Sequence, residues 1–349
     1  MTSEELPIFD EIRGVMVTQP ENEFAGRYVN LADLRLGATI LQVSDEFFAP
    51  AARMLNPAPA TFIPGKYDDH GKWMDGWETR RKRVEGYDTC ILRLGLPGMV
   101  TGIDLDTTYF TGNYPPSASI DGCRSEGGLS AKSQWAELLP SVPLKGNAHN
   151  LFHVHDERTW THLRLNIYPD GGIARLRVYG QVRPDLEKRD RSAVVDLAAV
   201  TNGGRLIACS DQHYGTPLGI IFPGLGVNMA EGWETHRRRE PGNEWALFAL
   251  GHRGRIERIE LDTTHFKGNY PDCCSIQAAD VTGGSDASLV TQSMFWRQLL
   301  SEQKLEADRL HVFTLEVKDL GAVTHFRINV IPDGGINRLR MFGTQDLKP

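Results

Sequence analysis

The chain has 349 residues, of which 40% are hydrophobic and 24% charged, enough apolar content to bury the cores of two ordinary domains. Its formal net charge of -7 opposes nucleic-acid binding as the main task, because phosphate neutralisation requires a basic surface. No stretch approaches the roughly 18 apolar residues of a membrane span, and residues 1–12 lack the apolar segment of a signal peptide. We therefore expect a cytoplasmic protein with no membrane partner and no nucleic-acid partner.

Three phrases occur twice in the chain and in the same order. They are Gly-Trp-Glu-Thr at 76–79 and 232–235, Leu-Asp-Thr-Thr at 105–108 and 261–264, and Pro-Asp-Gly-Gly at 169–172 and 332–335. The first two keep one spacing, since 232 − 76 and 261 − 105 both equal 156. Units of this length have the size of one domain each. The duplication predicts repeat 1 at 1–180, a charged linker at 181–192 and repeat 2 at 193–349.

In chain order, short alternating runs bounded by Gly, Pro, Asn and Asp favour an all-β sandwich in each repeat. The openings of the repeats are 166 residues apart (Ser-Asp at 44 and 210), which is ten more than the later phrases. Repeat 1 therefore carries about ten extra residues within 62–74, a segment rich in ionisable groups. Such an insertion is typical either of a ligand-facing loop or of drift in a surface loop.

Two further features of each repeat follow the insertion. Short helical turns are predicted at 134–139 and 295–300, where Trp135 and Trp296 match. The alternation of Leu163, Leu165 and Ile167 with polar residues predicts a strand with one core face, and repeat 2 has the same pattern. The turn sequence at 169–172 then predicts a hairpin with a second strand at 175–178.

The cysteines and histidines give weak signals for metal binding. The five cysteines occupy non-equivalent places in the two repeats and form no CxxC pair, so neither a disulfide framework nor a zinc site is indicated. His153 and His155 alternate on one predicted strand face and Asp156 follows, but repeat 2 keeps only half of this pair. We expect no metal site, with a divalent ion such as Mn on these three residues as the alternative.

Together the duplicated phrases resemble the allantoicase family over nearly the whole chain. The resemblance includes Gly-Asn-Tyr-Pro at 112–115 and the segment Phe-Ile-Pro-Gly-Lys at 62–66 ahead of the first Gly-Trp-Glu-Thr. It implies that each repeat is a jelly-roll sandwich similar to galactose-binding-like domains. It also implies hydrolysis of allantoate to ureidoglycolate and urea in purine degradation, with no cofactor established. A non-catalytic tandem binding module is the alternative, and a homo-oligomer is expected.

Allantoate is a small anion with two ureido groups on one carbon. Its site needs a cation for the carboxylate and polar partners for the ureas, and arginine binds carboxylates in bidentate fashion. The candidate substrate-binding residues are Lys66, Asn113, Arg164, Asp170, Arg175, Arg177, Asn269, Arg327 and Arg338.

Release of intact urea requires protonation of the leaving nitrogen, followed by addition of water to an acyl-iminium. The candidate catalytic residues are Glu78, Asp106, His162, Glu234, Asp262 and His325. Each has a structural alternative: Glu78 in a partly buried ion-pair network, Asp106 as a turn cap and Asp170 as part of the hairpin turn. The sequence leaves open whether one repeat or both carry catalysis.

Overall fold

Each repeat forms its own β-sheets in the computed structural model, which describes residues 22–185, 190 and 192–346. The strands of repeat 1 are β1 (Val29–Asn30), β2 (Thr39–Val43), β3 (Tyr67–Asp68), β4 (Gly71–Lys72), β5 (Trp77–Glu78), β6 (Asp88–Asp106), β7 (Ser117–Cys123), β8 (Ala136–Pro143), β9 (His149–His153), β10 (Trp160–Tyr168), β11 (Gly172–Ile173) and β12 (Arg175–Val182).

Repeat 2 follows the same order without counterparts of β3 and β4 among the described residues. Its strands are β13 (Val195–Asp196), β14 (Arg205–Cys209), β15 (Trp233–Glu234), β16 (Glu244–Asp262), β17 (Cys273–Ala279), β18 (Arg297–Lys304), β19 (Leu310–Phe313), β20 (Val323–Ile331), β21 (Gly335–Ile336) and β22 (Arg338–Gln345). The helices are α1 (Asp286–Ser293) and 3-10 turns at Leu34–Leu36, Ala51–Leu55, Val200–Asn202, Pro217–Ile221 and Met229–Glu231. The prediction of two tandem all-β jelly-roll repeats is confirmed.

One long strand in each repeat belongs to both layers of the sandwich. The first half of β6 pairs with β2 and β10, and its second half pairs with β9 and β12. The halves meet at Gly98, which pairs with both Trp160 and Val182. Strand β16 repeats this arrangement with β14, β20, β19 and β22. Because the strand passes from one layer to the other, its two ends, Asp88 and Asp106, lie at the same end of the sandwich.

The core lies between the layers, as the alternating pattern predicts. The apolar side chains of β10 and β12 are fully buried, among them Leu165 and Val178. Trp77 and Trp233 are also fully buried, and their indole N–H groups donate to the carbonyls of Asp45 and Asp211, both at 2.8 Å. A large ring with its one polar group satisfied anchors a strand firmly. The tryptophan of each duplicated phrase therefore fixes the strand that ends in the candidate glutamate.

The predicted hairpin between 163–167 and 175–178 is wrong. Strands β10 and β12 lie on opposite sides of β6 and pair with different halves of it. The segment between them crosses from one layer to the other, and β11 within it pairs with β5. Gly171 has a φ of 143°, and a Cβ on Gly172 would lie 2.0 Å from the Phe110 ring. These glycines allow a close approach of the backbone rather than a two-residue hairpin turn.

The predicted helical turns at 134–139 and 295–300 are also wrong, since these segments largely form β8 and β18. Both strands bury adjacent leucines against the core while pairing with β7 and β17. The α-helix of repeat 2 lies just before β18 instead. Ser285 caps it by accepting a hydrogen bond from the Ser288 N–H. The cap residue and the acidic first turn were the sequence signal for this helix.

Strand β12 ends at Val182, two residues into the predicted linker. Residues 186–189 and 191 of that linker lie outside the described residues, as does the acidic segment at 1–12. Within the described part of the chain, no helix has the length and apolar character to cross a membrane.

A buried arginine in each repeat holds the loop that precedes the candidate glutamate. Arg175 is 1% exposed, its Nη2 donates to the Asp75 carboxylate at 2.6 Å, and its other donors bind main-chain carbonyls. Arg338 makes the matching contact with Glu231 at 3.3 Å. Both acids lie three residues before the glutamate of the duplicated phrase, so the ion pair fixes the approach to Glu78 in repeat 1 and to its counterpart in repeat 2.

Replacing Arg175 with alanine should lower the free energy of unfolding by about 3–5 kcal/mol, because the change leaves a partly buried carboxylate and several carbonyls without a partner. Arg80→Ala is the control, since Arg80 pairs with Asp45 at 2.6 Å but its side chain is 64% exposed. That change should cost about 1 kcal/mol or less. Urea unfolding followed by tryptophan fluorescence measures both, and equal losses would contradict the role given to Arg175.

Candidate active site

In each repeat the glutamate of the first phrase is hydrogen-bonded to the asparagine of Gly-Asn-Tyr-Pro. Asn113 Nδ2 donates to Glu78 Oε1 at 2.7 Å, and Asn269 Nδ2 donates to Glu234 Oε1 at 2.6 Å. The backbone holds both members, since Glu78 pairs with Gly172 and the Gly172 N–H donates to the Asn113 carbonyl at 2.7 Å. The phrases Gly-Trp-Glu-Thr, Gly-Asn-Tyr-Pro and Pro-Asp-Gly-Gly thus meet at one point in each repeat. We call the hydrogen-bonded glutamate and asparagine a Glu–Asn dyad.

The environment of Glu78 suits a group that holds and delivers a proton. Burial raises the pKa of Glu78 above its usual range, while the hydrogen bond from Asn113 and the positive charge of Lys72 act in the opposite direction. Among the described residues, Glu78 Oε2 has no hydrogen-bond partner. A half-buried carboxyl with one oxygen held and the other free is arranged for general acid–base chemistry.

The extra residues of repeat 1 form the rim of its dyad. Strands β3 and β4 pair as a small hairpin within this insertion, residues 62–74. The ammonium of Lys72 lies over the ring of Phe62, 4.5 Å from its centroid, and that of Lys66 lies over Trp73 at 3.8 Å. Lys66 was the predicted substrate contact, but Lys72 is the lysine whose charge acts on Glu78. The only feature of the sequence that pointed to Lys72 was its position in the charged insertion.

The predicted substrate-binding arginines bind other parts of the chain. Their partners are Asp75 and loop carbonyls for Arg175, loop carbonyls for Arg177, Glu231 and loop carbonyls for Arg338, Asp121 for Arg164, and Asn329 and Ser293 for Arg327. The hydrogen bonds of Arg175 occupy all five of its N–H donors. The structure therefore places these guanidinium groups as internal anchors of loops and strands.

Each of the predicted aspartates accepts a hydrogen bond from a main-chain N–H. Asp106 Oδ1 accepts a hydrogen bond from the Thr108 N–H at 2.7 Å, and Asp262 Oδ1 accepts one from the Thr264 N–H at 2.8 Å. Asp170 Oδ2 accepts from the Lys82 N–H at 2.7 Å. An aspartate that satisfies an N–H two residues later is common turn chemistry. The contacts of Asp106 and Asp262 agree with the turn-cap alternative, whereas Asp170 joins two segments that are distant in the chain and belongs to no hairpin turn.

The predicted histidines lie away from the dyads. His162 pairs with Arg93 on β6, near the end of the sandwich where the strand changes layer, whereas Glu78 lies at the other end. It lines a cavity of about 820 Å³, and burial lowers its pKa. In both His162 and His325 the ring Nδ1 lies 2.8 Å from the hydroxyl of the preceding threonine. Burial lowers the pKa of His325 as well. The structure does not bring either histidine together with a glutamate of the duplicated phrase.

The alternative metal ligands do not converge on one point. His153 Nε2 lies 3.0 Å from a carboxylate oxygen of Glu23, and the Asp156 carboxylate is bound by Arg158 at 2.6 Å. The His153 and His155 rings are 6.3 Å apart and nearly parallel. No group of three or more His, Cys, Asp or Glu side chains in the described ranges is arranged to hold a metal ion. The donor set therefore does not fit a metal centre.

Fold and site together define a duplicated β-sandwich protein with an acid–amide pair at the loop end of each sandwich. The family model of the allantoicase repeat matches residues 29–183 and again residues 195–346. The chain belongs to the allantoicase family.

Similar proteins of known sequence match this chain over almost their whole length. The protein named "Probable allantoicase 1" of Burkholderia mallei is 59% identical over 93% of this chain and 96% of the relative. That named "Probable allantoicase" of Pseudomonas fluorescens is 55% identical over 91% and 96%. The crystal structure of allantoicase from Saccharomyces cerevisiae is similar with a TM-score of 0.75, 32% identity, and coverage of 92% of this chain and 96% of that chain.

Proposed function

We propose that this protein hydrolyses allantoate to ureidoglycolate and urea, a step of purine degradation. Membership of the allantoicase family supports the substrate and the reaction. The observation that carries the chemistry is the Glu78–Asn113 pair, a half-buried carboxyl with raised pKa and one oxygen that has no hydrogen-bond partner in the described part of the chain. A non-catalytic binding module is not favoured, because relatives that match 93% and 91% of this chain bear the name of an enzyme.

The reaction breaks the bond between the central carbon of allantoate and one urea nitrogen. Neutral Glu78 donates its proton from Oε2 to that nitrogen while Asn113 holds Oε1. The lone pair of the other ureido nitrogen forms the acyl-iminium as urea leaves. The Glu78 carboxylate then removes a proton from a water molecule, whose oxygen bonds to the central carbon. This step yields ureidoglycolate and returns Glu78 to its neutral form, so one group serves as acid and then as base.

The double variant Glu78→Gln, Glu234→Gln should lose kcat by roughly 10²- to 10⁴-fold, the usual contribution of general acid–base catalysis, with a smaller change in KM. Glutamine keeps the size and one acceptor oxygen of glutamate but carries no acidic proton. The control is Glu85→Gln, Glu240→Gln, which changes two exposed glutamates that lie just beyond the same phrases. The measurement is a time course of urea and ureidoglycolate from allantoate. A double variant with wild-type kcat would remove the dyads from the mechanism.

The proposal assigns the proton transfers to protein groups and assigns no step to a metal ion. It rests on the separate partners of His153 and Asp156. Dialysis against a chelator should therefore leave the rate of urea release unchanged, with an untreated sample as the control. Loss of turnover that Mn²⁺ restores would contradict this and would make His153, His155 and Asp156 the residues to replace next.

The proposed setting is a homo-oligomer in the cytoplasm. Apolar side chains are exposed along one edge of repeat 2, with Leu310 and Val312 of β19 each 51% exposed and Leu315 96% exposed. An apolar edge of this kind is commonly covered by a second subunit. Light scattering of purified protein should give a multiple of the 38.9 kDa chain mass. A single-chain mass would contradict the oligomer, and recovery of the protein in the membrane fraction of lysed cells would contradict the location.

A further inference from the structure

Both repeats keep the Glu–Asn dyad, but the loops in front of the two dyads differ in charge. In repeat 1 the insertion supplies Lys72, whose ammonium charge acts on Glu78. The corresponding loop of repeat 2, residues 222–230, contains no ionisable side chain. The ligand of the proposed reaction is an anion, so this difference bears directly on which dyad can bind it.

The insertion of repeat 1 is fastened on both sides of the site. On one side the His70 ring stacks on Phe47 with centroids 4.5 Å apart, and its Nδ1 bonds the Phe47 carbonyl. On the other side Phe62, which lies under the Lys72 ammonium, faces the ring of Tyr109 at 5.7 Å. These contacts join the insertion to the segment that follows β2 and to the loop after β6. The insertion therefore presents Lys72 from a supported position rather than from a free loop.

In repeat 2 the shorter loop closes onto its own dyad. His265, the counterpart of Tyr109, bonds the Gly226 carbonyl through Nε2 at 2.8 Å. The sulfur of Met229 lies 3.8 Å from Asn269 Nδ2, the amide nitrogen that holds Glu234. The loop in front of the repeat 2 dyad thus contributes the Gly226 carbonyl and the Met229 thioether, whereas the corresponding insertion of repeat 1 contributes a lysine. A thioether is a weak acceptor with no charge to offer a carboxylate.

We propose that turnover takes place at the repeat 1 dyad and that Lys72 binds the carboxylate of the substrate. This inference rests on the proposed function. In allantoate the carboxylate and the leaving ureido nitrogen are bonded to the same carbon. A residue that binds the carboxylate must therefore lie near the residue that protonates the nitrogen. The insertion that carries Lys72 meets this condition, because His70 bonds the Phe47 carbonyl and the adjacent Phe48 N–H donates to the Glu78 carbonyl at 3.3 Å. The ammonium, a compact charge on a flexible stem, suits this contact. The Glu234–Asn269 pair holds two loops of repeat 2 together.

The pH dependence of the reaction gives a readout that a purely structural lysine would not move. Glu78 acts first in its neutral form, so kcat/KM falls as pH rises through the pKa of this carboxyl. The charge of Lys72 lowers that pKa. Removing the charge should raise it, and the alkaline limb of the kcat/KM profile should move to higher pH.

Lys72→Met should raise KM for allantoate roughly 10- to 100-fold, the range for loss of a charged hydrogen bond, with little change in kcat. Lys72→Arg should recover most of the loss. Lys267→Met is the matched control, because Lys267 is exposed and lies two residues before Asn269. An unchanged KM and an unchanged alkaline limb in Lys72→Met would overturn the role of Lys72.

Single Glu78→Gln tests the choice of repeat. We expect this variant to lose as much turnover as the double variant, because the second dyad contributes none. Two equivalent sites would leave about half of the wild-type rate, and a variant that keeps half or more overturns the inference. Wild-type protein that releases no urea from allantoate would instead contradict the proposed function, so the two failures are distinguishable.

Discussion

The position of each dyad depends on the burial of one guanidinium group. A buried charge is tolerated only when its hydrogen-bonding groups have partners. The partners of Arg175 are the Asp75 carboxylate and the carbonyls of Ala58 and Pro59, which precede Asp75 in the same loop. Asp75 is followed closely by Trp77 and Glu78, so the same loop that neutralises the arginine also delivers the glutamate. The requirement is met again in repeat 2 by Arg338 and Glu231. The fold itself, in both copies, thus brings a glutamate to the loop end of the sandwich.

Close backbone approach then fixes the second member of the dyad. Gly172 donates its N–H to the Asn113 carbonyl, and this requires the chain to pass against the ring of Phe110 with no room for a Cβ. Gly335 has the same relation to Phe266 in repeat 2. The duplicated Pro-Asp-Gly-Gly phrase is therefore part of the site by way of its backbone. Its aspartate and glycines hold neighbouring segments together in both repeats, which is a structural reason for the phrase to recur in full.

Sequence patterns predicted the parts of this architecture that follow from local alternation and from duplication, namely the two all-β repeats and the buried face of β10. They failed where the answer depends on which strands become neighbours. The turn sequence at 169–172 predicted that β10 and β12 form a hairpin. In the structure β6 passes from one layer to the other at Gly98, and β10 and β12 pair with different halves of it. The same passage places His162 at one end of the sandwich and Glu78 at the other. Spacing along the chain carries no information on such separations.

Duplication also separates what the fold requires from what the reaction requires. A residue with identical contacts in both repeats satisfies a need that both copies share, as His162 and His325 do with their threonine hydroxyls. The Glu–Asn dyads are shared in this sense too, so their recurrence alone is no argument for catalysis. The surroundings of the two dyads differ, because repeat 1 adds the charged insertion and repeat 2 closes its loop with Met229. In the mechanism that we propose, the inherited acid acts on an anionic substrate where the adjoining loop also supplies a cation, and Lys72 is that cation in repeat 1.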